Sequence, residues 1–251
     1  MLPKPTGGWR PIWLLSSIPR IWNKLRQAEA RRWEASLRGC GAADFWGGPG
    51  RSAQESAWRH ALAAKAAGAQ QLYGAALLID LGNAYETVRL ARAERLARRA
   101  GLHGRLVRCA MSTYRGRRRI RVGTVVAEAR ALDAGLVAGC PCAGRTRKAA
   151  MLPVARAHSE EFGACSSGEL KSDVSVSYDD ATMACYGRAP RAIAKHLVEA
   201  GLAVAAGLTA FGCRISGAKT EVVVSDPPTR DEVQAALKAG ALYVRKVRAS
   251  I

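Results

Sequence analysis

The segment Gln71–Asp80 is apolar from Gly74 to Ile79 and then stops at a carboxylate, Asp80. A second acidic site, Asp179-Asp180, sits between two largely apolar stretches, Val174–Tyr178 and Ala181–Tyr186, in a strand–turn–strand pattern. The chain has only 20 acidic residues in 251, so acids at two strand ends restrict it strongly. A carboxylate at the end of a buried strand is costly unless it is paired or bound to a cation. Carboxylates brought a few Å apart by neighbouring strands repel, and a shared metal relieves that. Hard oxygen donors with open positions suit Mg²⁺ carrying a phosphate substrate. The competing assignments are a helix cap for Asp80 and a plain turn for Asp179-Asp180.

Around these strands the pattern is mixed. Helical spacing covers Ile21–Leu37, after Pro19, and an Ala-rich helix is expected over Ser52–Ala67. Ala84–Ala100 and Leu102–Tyr114 read as two helices broken at Gly101. Arg117–Val122 and Val125–Arg130 alternate around Gly123-Thr124, a hairpin signal. Gly135–Gly144 reads as a loop followed by a helix to about His158, and Pro190–Phe211 has core helical spacing. Arg214–Ser225 carries a further turn and strand, and Arg230–Ala239 a last short helix. Strands and helices mix without βαβα alternation, so the fold class is α+β. All six Trp lie between Trp9 and Trp58, where core anchoring is favoured over base stacking.

Composition narrows the partner. Half the residues are hydrophobic and 24% are charged, as in ordinary globular chains, while the formal net charge is +19. Such a balance calls for a polyanion, nucleic acid before membrane, although codon bias toward arginine produces the same excess. The seven Cys show no C-x-x-C spacing and the four His complete no zinc pattern, so the thiols read as reduced and intracellular. No signal peptide is visible at the N-terminus, and Ala200–Cys213 is too short and Gly-rich to span a bilayer.

Five segments, in order, carry a resemblance. Leu2-Pro3-Lys4-Pro5 with Trp9-Arg10-Pro11-Ile12 comes first, then Asp80-Leu81-Gly82-Asn83-Ala84-Tyr85-Glu86-Thr87-Val88. Gly135-Leu136-Val137-Ala138-Gly139-Cys140-Pro141 follows, then Ser177-Tyr178-Asp179-Asp180 and Ile215-Ser216-Gly217-Ala218-Lys219-Thr220-Glu221-Val222. Together they resemble the reverse-transcriptase domain of non-LTR retrotransposons and group II introns, over nearly the whole chain. The resemblance implies a right-hand polymerase: an antiparallel palm sheet packed on helices, with the thumb largely absent. Partial fingers would cover residues 1–70, the palm with inserted fingers elements 71–228, and a C-terminal remnant 229–251.

The same resemblance implies roles. Asp80, Asp179 and Asp180, with the Leu81 carbonyl, would hold two Mg²⁺ ions, or Mn²⁺ in their place. Asp80, Asp179, Asp180 and Lys219 would be catalytic, Lys219 as proton donor to pyrophosphate. Lys4 and Arg10 would meet the triphosphate, while Ala138 and Gly139 would border the nucleotide. Tyr85 would exclude a ribose 2′-hydroxyl. Arg115, Arg117, Arg118, Arg119 and Arg121 would contact template–primer phosphates. The expected partners are an RNA template, a DNA primer and dNTPs, with no membrane, at an intracellular and, by the retroelement likeness, nuclear location.

Four positions depart from the family pattern: Asn83, Glu86, Ala138 and Ser177. They motivate an alternative, a nucleic-acid-binding remnant without catalysis. An RNA-making polymerase is disfavoured by the bulk of Tyr85. Replacing Tyr85 with Ala is therefore expected to admit ribonucleotides, measured as a fall in the ratio of dNTP to NTP incorporation efficiency. An unchanged ratio would return Tyr85 to a packing role.

Overall fold

A computed structural model describes residues 2–3, 9–10, 14–37, 44–45, 52–161, 170–176, 180–240 and 246–249. In chain order the elements are β1 (Leu2–Pro3), β2 (Trp9–Arg10), α1 (Ser17–Leu25), α2 (Gln27–Ser36), β3 (Asp44–Phe45) and α3 (Ala53–Ala69). Next come β4 (Tyr73–Gly82), α4 (Leu90–Arg99), α5 (Gly104–Arg115), β5 (Arg121–Val122), β6 (Val125–Val126) and α6 (Pro141–Glu161). The chain continues through β7 (Leu170–Val176), β8 (Asp180–Gly187), α7 (Pro190–Phe211), β9 (Arg214–Ile215), β10 (Glu221–Val224), α8 (Pro227–Gly240) and β11 (Lys246–Ala249). The fold is α+β. Two compact units divide it: Met1–Leu37 with Tyr85–Ala150, and Arg38–Ala84 with Met151–Ile251.

The second unit is built on a sheet of order β11-β10-β4-β8-β7-β3, with β9 pairing the end of β4. Its inner pairs, β10–β4, β4–β8 and β8–β7, are antiparallel, while β11 and β3 join in parallel. Period-two alternation splits the sheet into two faces. Ala75, Leu77, Ile79 and Leu81 of β4, with Ala181, Met183 and Cys185 of β8, are buried on one face. There α7 packs on β4 and β8, and the Cys185 thiol donates to the Ile193 carbonyl at 3.7 Å. On the other face Leu78 is 38% exposed and Asp180 is exposed. Small residues of α3 lie over this open face, and His60 Nε2 meets Ser175 Oγ at 2.7 Å.

By length and composition α7 would suffice to cross a membrane, but it buries Ile193, Leu197, Val204 and Leu208, as a core helix does. Its ends follow local rules. Pro190 opens it and Gly212, at φ +101°, closes it in the left-handed conformation.

In the first unit, Trp33 of α2 is buried and its indole N–H donates to the Ala100 carbonyl at 2.8 Å. The Arg145 guanidinium of α6 reaches Glu34 at 3.4 Å, both side chains nearly buried. Cys142 donates to Asn23 Oδ1 at 2.6 Å. These contacts bind α1 and α2 to α6 and to the end of α4.

Several expectations change in detail. The helix expected over Ile21–Leu37 is two helices broken at Arg26, whose N–H bonds back to the Trp22 carbonyl while its own backbone leaves helical geometry. The one expected from Ala84 starts only at Leu90. Asn83 stands at φ +54°, outside right-handed helix, and the Val88 and Tyr85 carbonyls accept N–H groups from Gly135 and Leu136 instead of helical partners. Trp33 anchors the core as expected, whereas Trp58 is 63% exposed and does not. The Cys109, Cys140, Cys142, Cys185 and Cys213 thiols are all unbridged.

One buried pair makes stability pH-dependent. His158 of α6 and His196 of α7 are 3% and 9% exposed. Burial first, then the neighbouring His196, pushes His158 down to about 4; burial also lowers His196, against the opposing pull of Glu199. An unfolded imidazole protonates near 6.5, so the contribution of this pair to stability is complete above that pH and is lost as pH falls toward 4. Chemical denaturation at pH 7 and at pH 4.5 should differ by on the order of 1–2 kcal/mol from this source, after allowing for water reaching the ring. His158→Gln should flatten the slope between the two pH values; an unchanged slope would show that the pair does not govern it.

Candidate functional site

The sheet sets the geometry of the acids. Asp80 lies directly opposite Asp180 in the β4–β8 ladder, the last of a continuous run that begins at Tyr73 opposite Gly187. Directly opposed residues share a face, with Cβ atoms about 4.5–5.5 Å apart, and like charges there are destabilising. Lys219 partly offsets this: its Nζ stands 3.6 Å from Asp80 Oδ1, with the lysine 68% and the aspartate 26% exposed. The turn that delivers Lys219 is bonded to the same strand. Ser216 N–H donates to the Asp80 carbonyl at 2.9 Å, and Lys219 and Thr220 N–H groups both return to the Ser216 carbonyl. Leu81 is buried and opposes Ile215 of β9.

Asp179, with Ser177 and Tyr178, lies outside the described residues, as does Lys4. Arg10 stands in β2 opposite Leu2. Among the described residues no group of three or more His, Cys, Asp or Glu side chains is placed to hold a metal ion. Asp80 and Asp180 remain as a pair of hard oxygen donors.

A groove of about 360 Å³ runs along the open face beneath α3. Leu78, Thr182, Ala184 and Tyr186 contribute to its floor, Asp180 stands in its wall, and His60 and Ser175 line it. The space exists because α3 presents Ser56, Ala57 and Ala64 to the sheet, side chains too short to fill it.

A second cluster belongs to the first unit. Tyr85 and the Gly135–Gly139 loop, fifty residues apart in sequence, are joined: Leu136 N–H donates to the Tyr85 carbonyl at 2.8 Å and Gly135 N–H to that of Val88 at 2.9 Å. Gly135 has φ +97°, a conformation that side chains rarely adopt, so the backbone there favours glycine. Ala138 is half-buried and Gly139 exposed. Above the Tyr85 ring lies the Arg147 guanidinium, 5.2 Å from its centroid, on a side chain only 1% exposed. A cation held over an aromatic face out of water fixes the ring orientation.

The arginines of the hairpin region do not act alike. Arg115 is ion-paired to Glu94 at 2.7 Å, and Glu94 also holds Arg98 at 2.8 Å. The Glu94 carboxyl is lowered, first by the Arg98 hydrogen bond and then by Arg115. Arg118 is half-buried; it donates to the Tyr114 carbonyl and to that of Gly135 at 2.8 Å, tying α5 to the loop. Burial lowers its pKa. Arg117, Arg119 and Arg121 are exposed.

Two features were not singled out from sequence, His60 with Ser175 and Arg147 over Tyr85. Both join residues far apart in the chain, and neither has a local pattern that marks it. No protein-family model matches the chain, and no curated protein matches it.

The opposed acids can be tested without any activity. Asp180→Asn should raise the melting temperature in EDTA by a few degrees, because it removes a like-charge neighbour of Asp80. Millimolar Mg²⁺ should raise the melting temperature of the wild-type chain and leave that of the variant nearly unchanged. Equal Mg²⁺ responses in both would remove Asp180 from any cation site.

Proposed function

We propose that this chain is an RNA-directed DNA polymerase domain of the right-hand type, with the β4–β8 sheet as its palm. The observation that carries the reading is the pairing of Asp80 with Asp180 on an open sheet face, with Lys219 beside them. Directly opposed like charges are destabilising, Lys219 offsets this only in part, and two carboxylates side by side on an open face offer hard oxygen donors to a divalent ion. The order of the five sequence segments supplies the polymerase likeness, and the +19 charge suits a nucleic-acid partner.

The donor set fits a hard divalent ion: Asp80 and Asp180 would hold Mg²⁺, joined by Asp179 and the Leu81 carbonyl as the resemblance implies. Bound there, Mg²⁺ would supply Lewis-acid activation of the primer 3′-hydroxyl and neutralise charge on the triphosphate. The chain's own groups would do the rest. Lys219, placed at Asp80 by the Ser216 turn, would hold a proton for the leaving pyrophosphate. The Tyr85 ring would occupy the space that a 2′-hydroxyl needs. Exposed Arg117, Arg119 and Arg121 would hold template–primer phosphates.

Ala138 favours a second reading, a nucleic-acid-binding remnant without synthesis, since a methyl group replaces the amide that the family places against the nucleotide. One experiment separates the two. Primer extension on an RNA template with dNTPs and Mg²⁺ should yield product from the wild-type chain. Asp80→Asn should lower the rate by about 10³-fold or more while leaving template–primer affinity within about twofold. Absence of product from the wild-type chain, with affinity intact, would select the remnant reading; equal rates in wild type and variant would remove Asp80 from the chemistry.

A further inference from the structure

The β5–β6 hairpin has two chemically different faces. Val122 opposes Val125 and Arg121 opposes Val126, and Ala127 N–H donates to the Ile120 carbonyl at 2.9 Å. Opposed residues share a face, so Ile120, Val122, Val125 and Ala127 form one wholly apolar side. Arg119, Arg121, Val126 and Glu128 form the other. Gly123, at φ +59° in the two-residue loop, permits the tight return. The outer bridge pairs Arg118 with Arg130, one residue out of step with the tip, so the ribbon is bulged at its base.

Among the described residues nothing covers the apolar side. Ile120, Val122 and Val125 are 52%, 41% and 72% exposed, and Arg119 and Arg121 on the opposite side are exposed too. A two-stranded ribbon open on both faces is marginal by itself, so a partner that covers one face also stabilises the ribbon. The charge says which partner: Arg117, Arg119, Arg121 and Arg130 are exposed beside one glutamate, Glu128, while Arg118 turns to the Tyr114 and Gly135 carbonyls.

Other occupants fit less well. A second copy would bring two strongly basic ribbons face to face. A lipid surface would receive three side chains holding about ten carbons, fewer than a myristoyl chain, which itself binds only marginally. A duplex of A-like form offers both complements at once. Its wide, shallow minor groove presents sugar surface, flanked by phosphates within reach of long arginine side chains.

We propose that the hairpin lies in the shallow groove of a nucleic-acid duplex, its Ile120/Val122/Val125 side on the sugars and its arginines on the flanking phosphates. The inference rests on the proposed function only for having a nucleic-acid partner; it requires no synthesis.

The test is fluorescence anisotropy of a labelled RNA–DNA hybrid with the full chain, between about 50 and 400 mM KCl. Ile120→Thr, Val122→Thr and Val125→Thr combined keep strand propensity, and thermal melting checks the fold. This variant should bind about tenfold more weakly at every salt concentration, with the log–log salt slope unchanged. Arg119→Gln with Arg121→Gln should instead flatten the slope by roughly one unit for each phosphate that is no longer neutralised. Wild-type affinity in the threonine variant would overturn the inference. So would light scattering that shows a wild-type dimer and a monomeric threonine variant, or tight wild-type binding to anionic vesicles abolished by the same changes. Hybrid binding that depends on the apolar side, without primer extension, would leave the inference standing and remove the polymerase reading.

Discussion

The β4–β8 ladder decides the rest of the second unit. Its register brings Ala181, Met183 and Cys185 to the face where Ala75, Leu77 and Ile79 are buried, beneath α7. A slip of one residue would turn that apolar set to the open side and bury Thr182 and Tyr186 in its place. Burial of the apolar face therefore selects which side of β8 meets α7, and the observed register then sets Asp80 against Asp180. The acids share the open face because the core on the other side of the sheet requires it, and their repulsion is a cost that Lys219 partly offsets.

That dependence explains what could be read from the amino-acid order. The apolar strands are visible because burial leaves a run of Ala, Leu and Ile that meets a carboxylate, although β4 runs two residues past Asp80, to Gly82. Which acid faces Asp80 is not visible, because register is a property of two strands and of the face they share. The α7 helix is legible to the residue, since Pro190 and Gly212 punctuate it. The late start of α4 is not, because the Tyr85 and Val88 carbonyls are taken by Gly135 and Leu136, fifty residues onward. A long-range hydrogen bond there overrides a good local helical pattern. β11, with Lys246 and Arg248 alternating with Val247 and Ala249, is too short to distinguish from coil until its pairing with β10 is seen.

Net charge is similarly divided by structure. Arg115 and Arg98 share Glu94, Arg145 is paired with Glu34, Arg147 covers an aromatic ring, and Arg118 serves backbone carbonyls. These arginines hold the first unit together. A count of +19 therefore overstates the charge that a polyanion can meet, which falls to exposed residues such as Arg117, Arg119 and Arg121. Ion pairing and burial make the division, not a backbone acceptor: Arg117 and Arg121 also donate to carbonyls, of Ala129 at 3.2 Å and Gly123 at 2.8 Å, yet stand exposed.

The same distinction bears on the departures from the polymerase pattern. At position 83 the backbone is left-handed, a conformation that asparagine tolerates better than most side chains, so Asn83 suits the turn it occupies. At position 138 the flanking glycines keep their positive φ values, +97° at Gly135 and +84° at Gly139, and the loop remains bonded to Tyr85 and Val88. Loop shape thus depends on the glycines and on the N–H groups of Gly135 and Leu136, not on the side chain at 138. A methyl group at 138, where the polymerase pattern has an amide, leaves the loop itself in place. On the proposed function, such a change weakens the grip on a nucleotide without disturbing the carboxylates, which lie on a different scaffold and are positioned by a different set of hydrogen bonds.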